Sequence, residues 1–505
     1  MGIPVTIINV FHAYHESIIA TASVPPIGVC YLAAVLEENG HQVTVIDGLG
    51  EAIDQTYQHG IFGLRGLKPE EIVERIPAEA SLIAVSNLFG CTYPPTGDLV
   101  SMIKRERGDV PIIFGGVTPS SMPEHTLSHF EVDYVGLGEG EMILLEVARR
   151  VGSGEDPKSI NGLAYRNGNE VMINPRWNLV EDLDSLPFPM YDKIPFENYI
   201  QAREFHGASR GRTAPIVATR GCPHKCTFCT APGHWLPRWR TRSPENVLDE
   251  IQLLQKNYDI TDIHFEDLTI GSDRKWLIRF CEGIEERGMN FTWQIPNGTR
   301  SEQLSLELLS MMKRSGCTNI TYAPESGSSR VLNLVDKELD LSVIERAVKW
   351  SDELDISTCG FFLIGMPGER YEEAKETVNY MLKLARMGLD EIAISTFVPL
   401  PGSRLFQELY SSGQLELNDE FFRDLATDDL FKAVSWSEHI TDGQLTRLRL
   451  FAYLFFFMTS YFFHPRKLFS TLKSLFSQVQ ETKSQRILKT KMKRVYMNLL
   501  GRVHG

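Results

Sequence analysis

The chain has 505 residues, enough for about three domains, with 43% hydrophobic and 23% charged residues and a net charge of −14. That balance is ordinary for a globular protein and argues against a general affinity for nucleic-acid phosphates, which rests on a basic face. No basic start followed by an apolar run and a small-residue cleavage site opens the chain, so a cytoplasmic location is expected, where its eight cysteines are poor candidates for structural disulfides.

Residues 1–150 alternate apolar strands with helical patterns: "VTIINVF", "IGVCYLAAVLEENG", "QVTVIDG", "LIAVSNLFG", "PIIFGG", "VDYVGLGEGE" and "MILLEVARRVG". Strand, helix, strand in this rhythm predicts an α/β, doubly wound, Rossmann-like domain with a parallel sheet. Ligands of such sheets sit beyond the carboxyl ends of the strands. The residues there are Ser86 and Asn87, Gly115 and Gly116, and the run Gly138, Glu139, Gly140, Glu141; each also serves as an ordinary tight turn. Residues 151–210, with Pro175, Pro187, Pro189 and Pro195, read as a linker between domains.

From 211 to 410 the rhythm resumes with six strand-and-helix units, from "PIVATRG" to "EIAISTFVPLPGS". Eight units need about 250 residues, so a partial (β/α)6 barrel is expected, with its chemistry at the carboxyl ends of the strands. Just after its first strand, "TRGCPHKCTFC" places Cys222, Cys226 and Cys229 within eight positions. Thiolates at this spacing can hold an iron-sulfur cluster, and three of them leave one iron of a four-iron cube open. A structural zinc site wants four ligands, commonly in two pairs; His224 lies in the loop, but Cys30, Cys91, Cys281, Cys317 and Cys359 are scattered singly and read as buried thiols.

The C-x3-C-x2-C arrangement with Phe228 before its last cysteine resembles the radical S-adenosylmethionine (SAM) superfamily. The resemblance implies a [4Fe-4S] cluster on Cys222, Cys226 and Cys229 whose open iron chelates SAM and cleaves it to a 5'-deoxyadenosyl radical. Three downstream segments resemble the family's SAM contacts: "HFEDLTI" with Glu266 and Asp267, "APESGS" with Glu325 and Ser326, and "GFFLIGMPGE" with Phe362, Ile364 and Gly365. "STFVPLPGS" resembles the family's sixth-strand segment. The first 150 residues resemble the cobalamin-binding domain that precedes the barrel in a subclass containing carbon methyltransferases and the anaerobic magnesium-protoporphyrin ester cyclase. On that reading Ser86, Asn87, Gly115, Gly116, Gly138, Glu139 and Gly140 are the cobalamin contacts. No Asp-x-His-x-x-Gly is present to supply a histidine to cobalt; His12 and His15 follow the first strand outside that pattern, and Asn87, Leu88 and Tyr93 are weaker alternatives.

The resemblance therefore implies an enzyme using cobalamin, SAM and a [4Fe-4S] cluster, fed by an external electron donor such as flavodoxin or ferredoxin. Methylation of an unactivated carbon of a small molecule through methylcobalamin is the expected outcome, with oxidative cyclisation or rearrangement as the alternative. Residues 411–505 read as a mostly helical, aromatic-rich region that shapes the site for an apolar substrate. Within it, "FAYLFFFMTSYFF" (451–463) is shorter than the roughly 20 residues of a membrane span and reads as a buried helix, with interfacial membrane contact as the second reading. The segment from Lys483 to Arg502 is basic and holds no acid.

Overall fold

The computed structural model describes residues 2–14, 22–177, 179–426 and 431–492. His15 and the end of the basic tail lie outside the described residues. The first sheet contains β1 (Pro4–Asn9), β2 (Gln42–Asp47), β3 (Leu82–Ser86), β4 (Ile112–Gly115), β5 (Tyr134–Gly136), β6 (Leu163–Asn167) and β7 (Glu170–Ile173) in the order β7-β6-β5-β4-β3-β1-β2. The first five strands run parallel, and β6 and β7 are added antiparallel. Val5, Ile7, Ile8, Ile83 and Val85 are all buried, as strands covered on both faces require.

The addition of β6 and β7 carries this sheet past residue 150 into the stretch expected to be linker. Leu163 and Ala164 are fully buried while Glu170, Met172 and Ile173 of the outermost strand are exposed. A short hairpin whose inner strand is apolar thus covers the sheet edge. Its prolines mark the path after the hairpin, not the end of the domain.

The second sheet contains β8 (Thr213–Ile216), β9 (Asp262–Phe265), β10 (Thr292–Thr299), β11 (Cys317–Glu325), β12 (Ser357–Ile364) and β13 (Glu391–Thr396), in sequence order and parallel throughout. Six strands in this order form the open barrel expected from the six repeated units. Trp293, Tyr322, Phe362 and Ile364 lie among the core side chains between strands and outer helices. The other parity of each strand faces the lumen, and at its amino end that lumen is polar. Gln294 donates to Asp262 Oδ2 (2.8 Å), His264 Nε2 lies 3.1 Å from the same oxygen, and Thr292 donates to Asp262 Oδ1 (2.6 Å).

Three helices matter below: α1 (Tyr371–Met387), α2 (Asp442–Phe463) and α3 (Pro465–Ser474). The capping box of Thr441 and Gln444 starts α2, and Pro465 both ends it and opens α3. Among the described residues no helix is long and apolar enough to cross a membrane.

Candidate active site

The cysteine loop leaves a short antiparallel ribbon in which Thr219–Gly221 pairs with Trp239–Thr241. Gly221 has φ +83°, and a Cβ there would stand 2.0 Å from the Arg238 carbonyl oxygen, so only glycine closes the ribbon beside Cys222. The loop is pinned from two further elements. Thr227 N donates to Val335 O and Leu405 N donates to Thr227 O, each at 3.0 Å. Cys222, Cys226 and Cys229 are free and half-buried. Burial pushes all three thiols up, Cys229 to about 11, with Cys226 and Cys222 adding repulsion there. Arg300 and Lys337 pull Cys222 and Cys226 back toward thiolate.

Among the described residues no three His, Cys, Asp or Glu side chains converge as the ligands of a single ion must. Three thiols can each take a different iron of a cluster, whereas a structural zinc site wants four ligands. Cys30, Cys281, Cys317 and Cys359 are buried.

Two carboxylates stand at the strand ends around this loop. Glu266, after β9, accepts from Asn297 Nδ2 (2.5 Å) and lies 2.7 Å from His206 Nδ1, both through Oε2; its Oε1 is buried without a partner. Burial works to raise its pKa, but the charge and hydrogen bond of His206 hold it below the usual carboxylate range. An acceptor oxygen left bare in a buried position is what a cationic ligand group would fill. Glu325, at the end of β11, has φ +63° and pairs with Lys337 at 2.9 Å; a non-glycine residue held there is a strained position of the kind that collects at functional sites.

The neighbouring candidates are engaged within the protein. Asp267 accepts from the amides of Ala218 and Thr219 and from the Thr219 hydroxyl, tying β9 to the start of the cysteine loop; burial pushes its carboxyl up to about 7. The Ser326 hydroxyl lies 2.9 Å from that of Thr377 on α1. Phe362 and Ile364 turn their side chains away from the lumen, so on this strand Phe361 and Leu363 face inward and only backbone at 362 and 364 is available to a ligand. Gly365 follows with φ +82°, its amide donating to Glu369 Oε2 at 2.5 Å. Phe228 packs against the same apolar cluster as Leu363, Met366 and Phe397.

On the first sheet, Ser86, Gly115 and Gly138 lie at or beyond the carboxyl edge. Gly116 has φ +104°, and a Cβ there would meet the Asn87 carbonyl oxygen at 2.1 Å. Asn87 is buried; its amide donates to Thr92 Oγ1 (2.9 Å) and Thr96 Oγ1 (3.1 Å), leaving Oδ1 without a partner. Leu88 and Phe89 stand exposed beside it. A bare buried acceptor, a side-chain-free turn and exposed apolar side chains on one edge fit a large cofactor seated there. Tyr93 does not face this edge: it is buried in the core with its hydroxyl 2.8 Å from Thr126 Oγ1. His12 sits in a ribbon opposite Arg65, edge-on to Phe89 at 5.4 Å, with burial lowering its pKa to about 4.

Glu139 links the two domains, which also share two apolar clusters. Its carboxylate takes Arg240 Nη2 (2.6 Å) and Nη1 (3.0 Å), Arg220 Nη1 (3.4 Å) and the Val180 amide (2.9 Å). Arg220 also pairs with Glu141 (2.6 Å) and lies over the Tyr31 ring, 5.1 Å from its centroid. All four charged side chains are at most 9% exposed. Sequence reasoning placed Glu139 at a cofactor and missed Arg220, two residues before Cys222, although its charge within "TRGC" was visible. His206, Asn297 and Lys337 carried no motif that could have marked them, while Glu369 closes the "GFFLIGMPGE" segment without having been singled out.

A parallel partial barrel with three cysteines after its first strand, tied to a doubly wound domain in front, defines a radical SAM protein with a B12-binding domain. The Radical SAM superfamily matches residues 216–381 and the B12 binding domain residues 19–148. An uncharacterized methyltransferase of Pyrococcus horikoshii is 27% identical over 435 residues, 86% of this chain and 88% of that protein. The anaerobic magnesium-protoporphyrin IX monomethyl ester cyclase of Rubrivivax gelatinosus is 26% identical over 76% of this chain and 66% of its own length. The radical SAM methyltransferase TsrM of Kitasatospora setae, solved with cobalamin and a [4Fe-4S] cluster, shares the fold at a TM-score of 0.65 and 18% identity, over 82% of this chain and 75% of that one.

Proposed function

We propose that this protein is a cobalamin-dependent radical SAM methyltransferase acting on a carbon of a small molecule. The observation that carries the reading is the Glu139–Arg220 link, which sets the cysteine loop at the barrel's carboxyl end against the carboxyl edge of the B12-binding domain. When bound, the cluster and SAM supply a radical that removes a hydrogen atom, and cobalamin supplies a carrier for one methyl group. Cys222, Cys226 and Cys229 serve as the cluster ligands. Glu266 offers its bare oxygen to a cationic group of SAM, while Lys337 holds Glu325 in place at the neighbouring strand end. Phe228 and Leu363 pack beside the loop on the apolar cluster that contains Phe397, which would help to keep water from the iron-sulfur cluster. Gly116 and Asn87 form the seat on the opposite edge.

The methyltransferase relative favours methyl transfer, and the cyclase relative supports a second reading in which ring closure occurs without it. The test is anaerobic turnover of the reconstituted protein with flavodoxin or ferredoxin as electron donor and SAM carrying a deuterated methyl group. Methyl transfer releases S-adenosylhomocysteine and 5'-deoxyadenosine in equal amounts and labels the product. Turnover that yields deoxyadenosine with neither S-adenosylhomocysteine nor label would establish the second reading and discard the first.

A further inference from the structure

Helix α2 is apolar on two sides. Leu445, Leu448, Ala452 and Phe456 form its buried stripe, and the Tyr453 hydroxyl accepts from the Ile394 amide of the last barrel strand at 3.0 Å. The opposite stripe, Phe451, Leu454, Met458 and Phe462, is exposed, and α3 and the turn beyond it also expose Phe469 and Phe476. Phe462, Phe469 and Phe476 are 80%, 70% and 93% exposed. At about 200 Å² per phenylalanine, these three leave on the order of 500 Å² of apolar surface bare. Summed over the three side chains, this area is comparable with the largest patch an ordinary monomer shows, roughly 300–600 Å².

The patch is held in one orientation. Asp352 takes Arg466 Nη2 at 2.7 Å and Lys467 at 3.4 Å, Asp390 takes Lys467 at 3.0 Å, and His464 Nε2 lies 3.0 Å from the Arg386 carbonyl oxygen. Charge is segregated along this part of the sequence, although Arg449 and Arg486 are buried and Arg466 and Lys467 are engaged by the acids just named. From Gly443 to the end of the chain the sequence has twelve Lys and Arg and a single acid, Glu481, in a protein whose net charge is −14. Lys473, on α3, and Lys491 are exposed.

We infer that this face docks the protein on an anionic lipid bilayer, with the phenylalanines of α2 and α3 entering the headgroup region and the surrounding cations meeting lipid phosphates. Exposed aromatic and aliphatic side chains flanked by lysines are the composition of an interfacial helix, and an anionic leaflet attracts each neighbouring cation. A second copy of the chain is the poorer occupant, since a two-fold contact would set the same positive segment against itself.

The test is flotation of the full-length protein with vesicles of phosphatidylglycerol and phosphatidylcholine, alongside vesicles of phosphatidylcholine alone. The protein is expected to float with the anionic vesicles, less at high salt, and little with the neutral ones. Replacing Phe462, Phe469 and Phe476 together by glutamate should weaken binding at least about tenfold, whereas replacing all three by leucine should preserve it. The pair Lys473→Glu and Lys491→Glu should weaken binding at low salt without touching an apolar side chain. Thermal melts of each variant check folding, and cluster content plays no part in the readout. Failure of the wild type to float, equal flotation of the glutamate variant, or a dimer in sedimentation that this variant abolishes without any vesicle binding would each overturn the inference.

Discussion

Removing the Glu139 carboxylate should weaken the union of the two domains, which the shared apolar clusters still hold. In Glu139→Ala, Arg240 loses its acidic partner and keeps only the Val180 carbonyl oxygen, while Arg220 keeps Glu141. Four hydrogen bonds disappear, three of them between charged groups. Charge-assisted bonds are each worth about 1.5–3 kcal/mol, but they are not additive here, because the larger effect is the guanidinium left buried without its counter-charge. Breaking a buried pair from one side costs about 3–5 kcal/mol. For domains of this size about 1 kcal/mol corresponds to roughly 2–4 °C, so the first unfolding transition should fall by about 10 °C. Glu139→Gln retains the shape and the acceptor oxygen and should lose less than half as much. Calorimetry of the three proteins, with limited proteolysis between residues 173 and 213 as a second readout, checks the reasoning. A Glu139→Ala protein that melts within about 2 °C of the wild type and resists proteolysis equally would refute it.

Anaerobically reconstituted protein should hold about four irons, and replacing Cys222, Cys226 and Cys229 together by alanine should abolish the cluster absorbance and 5'-deoxyadenosine formation; SAM cleavage by that variant under reductant would show the ligands to lie elsewhere. Glu369 is fully buried, and burial pushes its carboxyl from 4.5 up to about 7. The folded protein therefore keeps a proton there that the unfolded chain releases, so this group's contribution is present below about pH 4.5 and is lost as pH rises toward 7, by about 3 kcal/mol at most. Glu369→Gln, which preserves an acceptor for the Gly365 and Met366 amides, should remove that part of the pH dependence; parallel melting curves for wild type and variant from pH 4.5 to 7 would contradict the assignment.

The parallel sheets were legible because a strand buried on both faces is a run of apolar residues bounded by turns, as in "LIAVS" and "PIIFGG". The cysteine loop was legible because its spacing is local. What escaped the sequence depends on contacts between distant segments. His206 comes to Glu266 across 60 residues and Arg220 comes to Glu139 across 81, and no periodicity records such meetings. Strand parity was the other obstacle: "GFFLIG" shows two adjacent phenylalanines but not which one faces the lumen. Register with the neighbouring strand decides it, since a step of one residue exchanges the faces. The apolar run at 451–463 was read as one buried helix, whereas the structure divides it into a packed stripe and a bare one.

The Arg220 link also bears on how this protein could be shortened or recombined. A barrel excised at residue 211 would carry Arg220 and Arg240 at a severed surface, two cations beside the cysteine loop with their counter-charges left on the discarded piece. Such a fragment would begin cluster assembly from a loop whose leading strand had lost its anchor. The two halves are modular in sequence, yet the smallest unit expected to mature is the pair. Exchange of either half between relatives would then succeed only where the acidic turn and the arginine ahead of the first cysteine travel together.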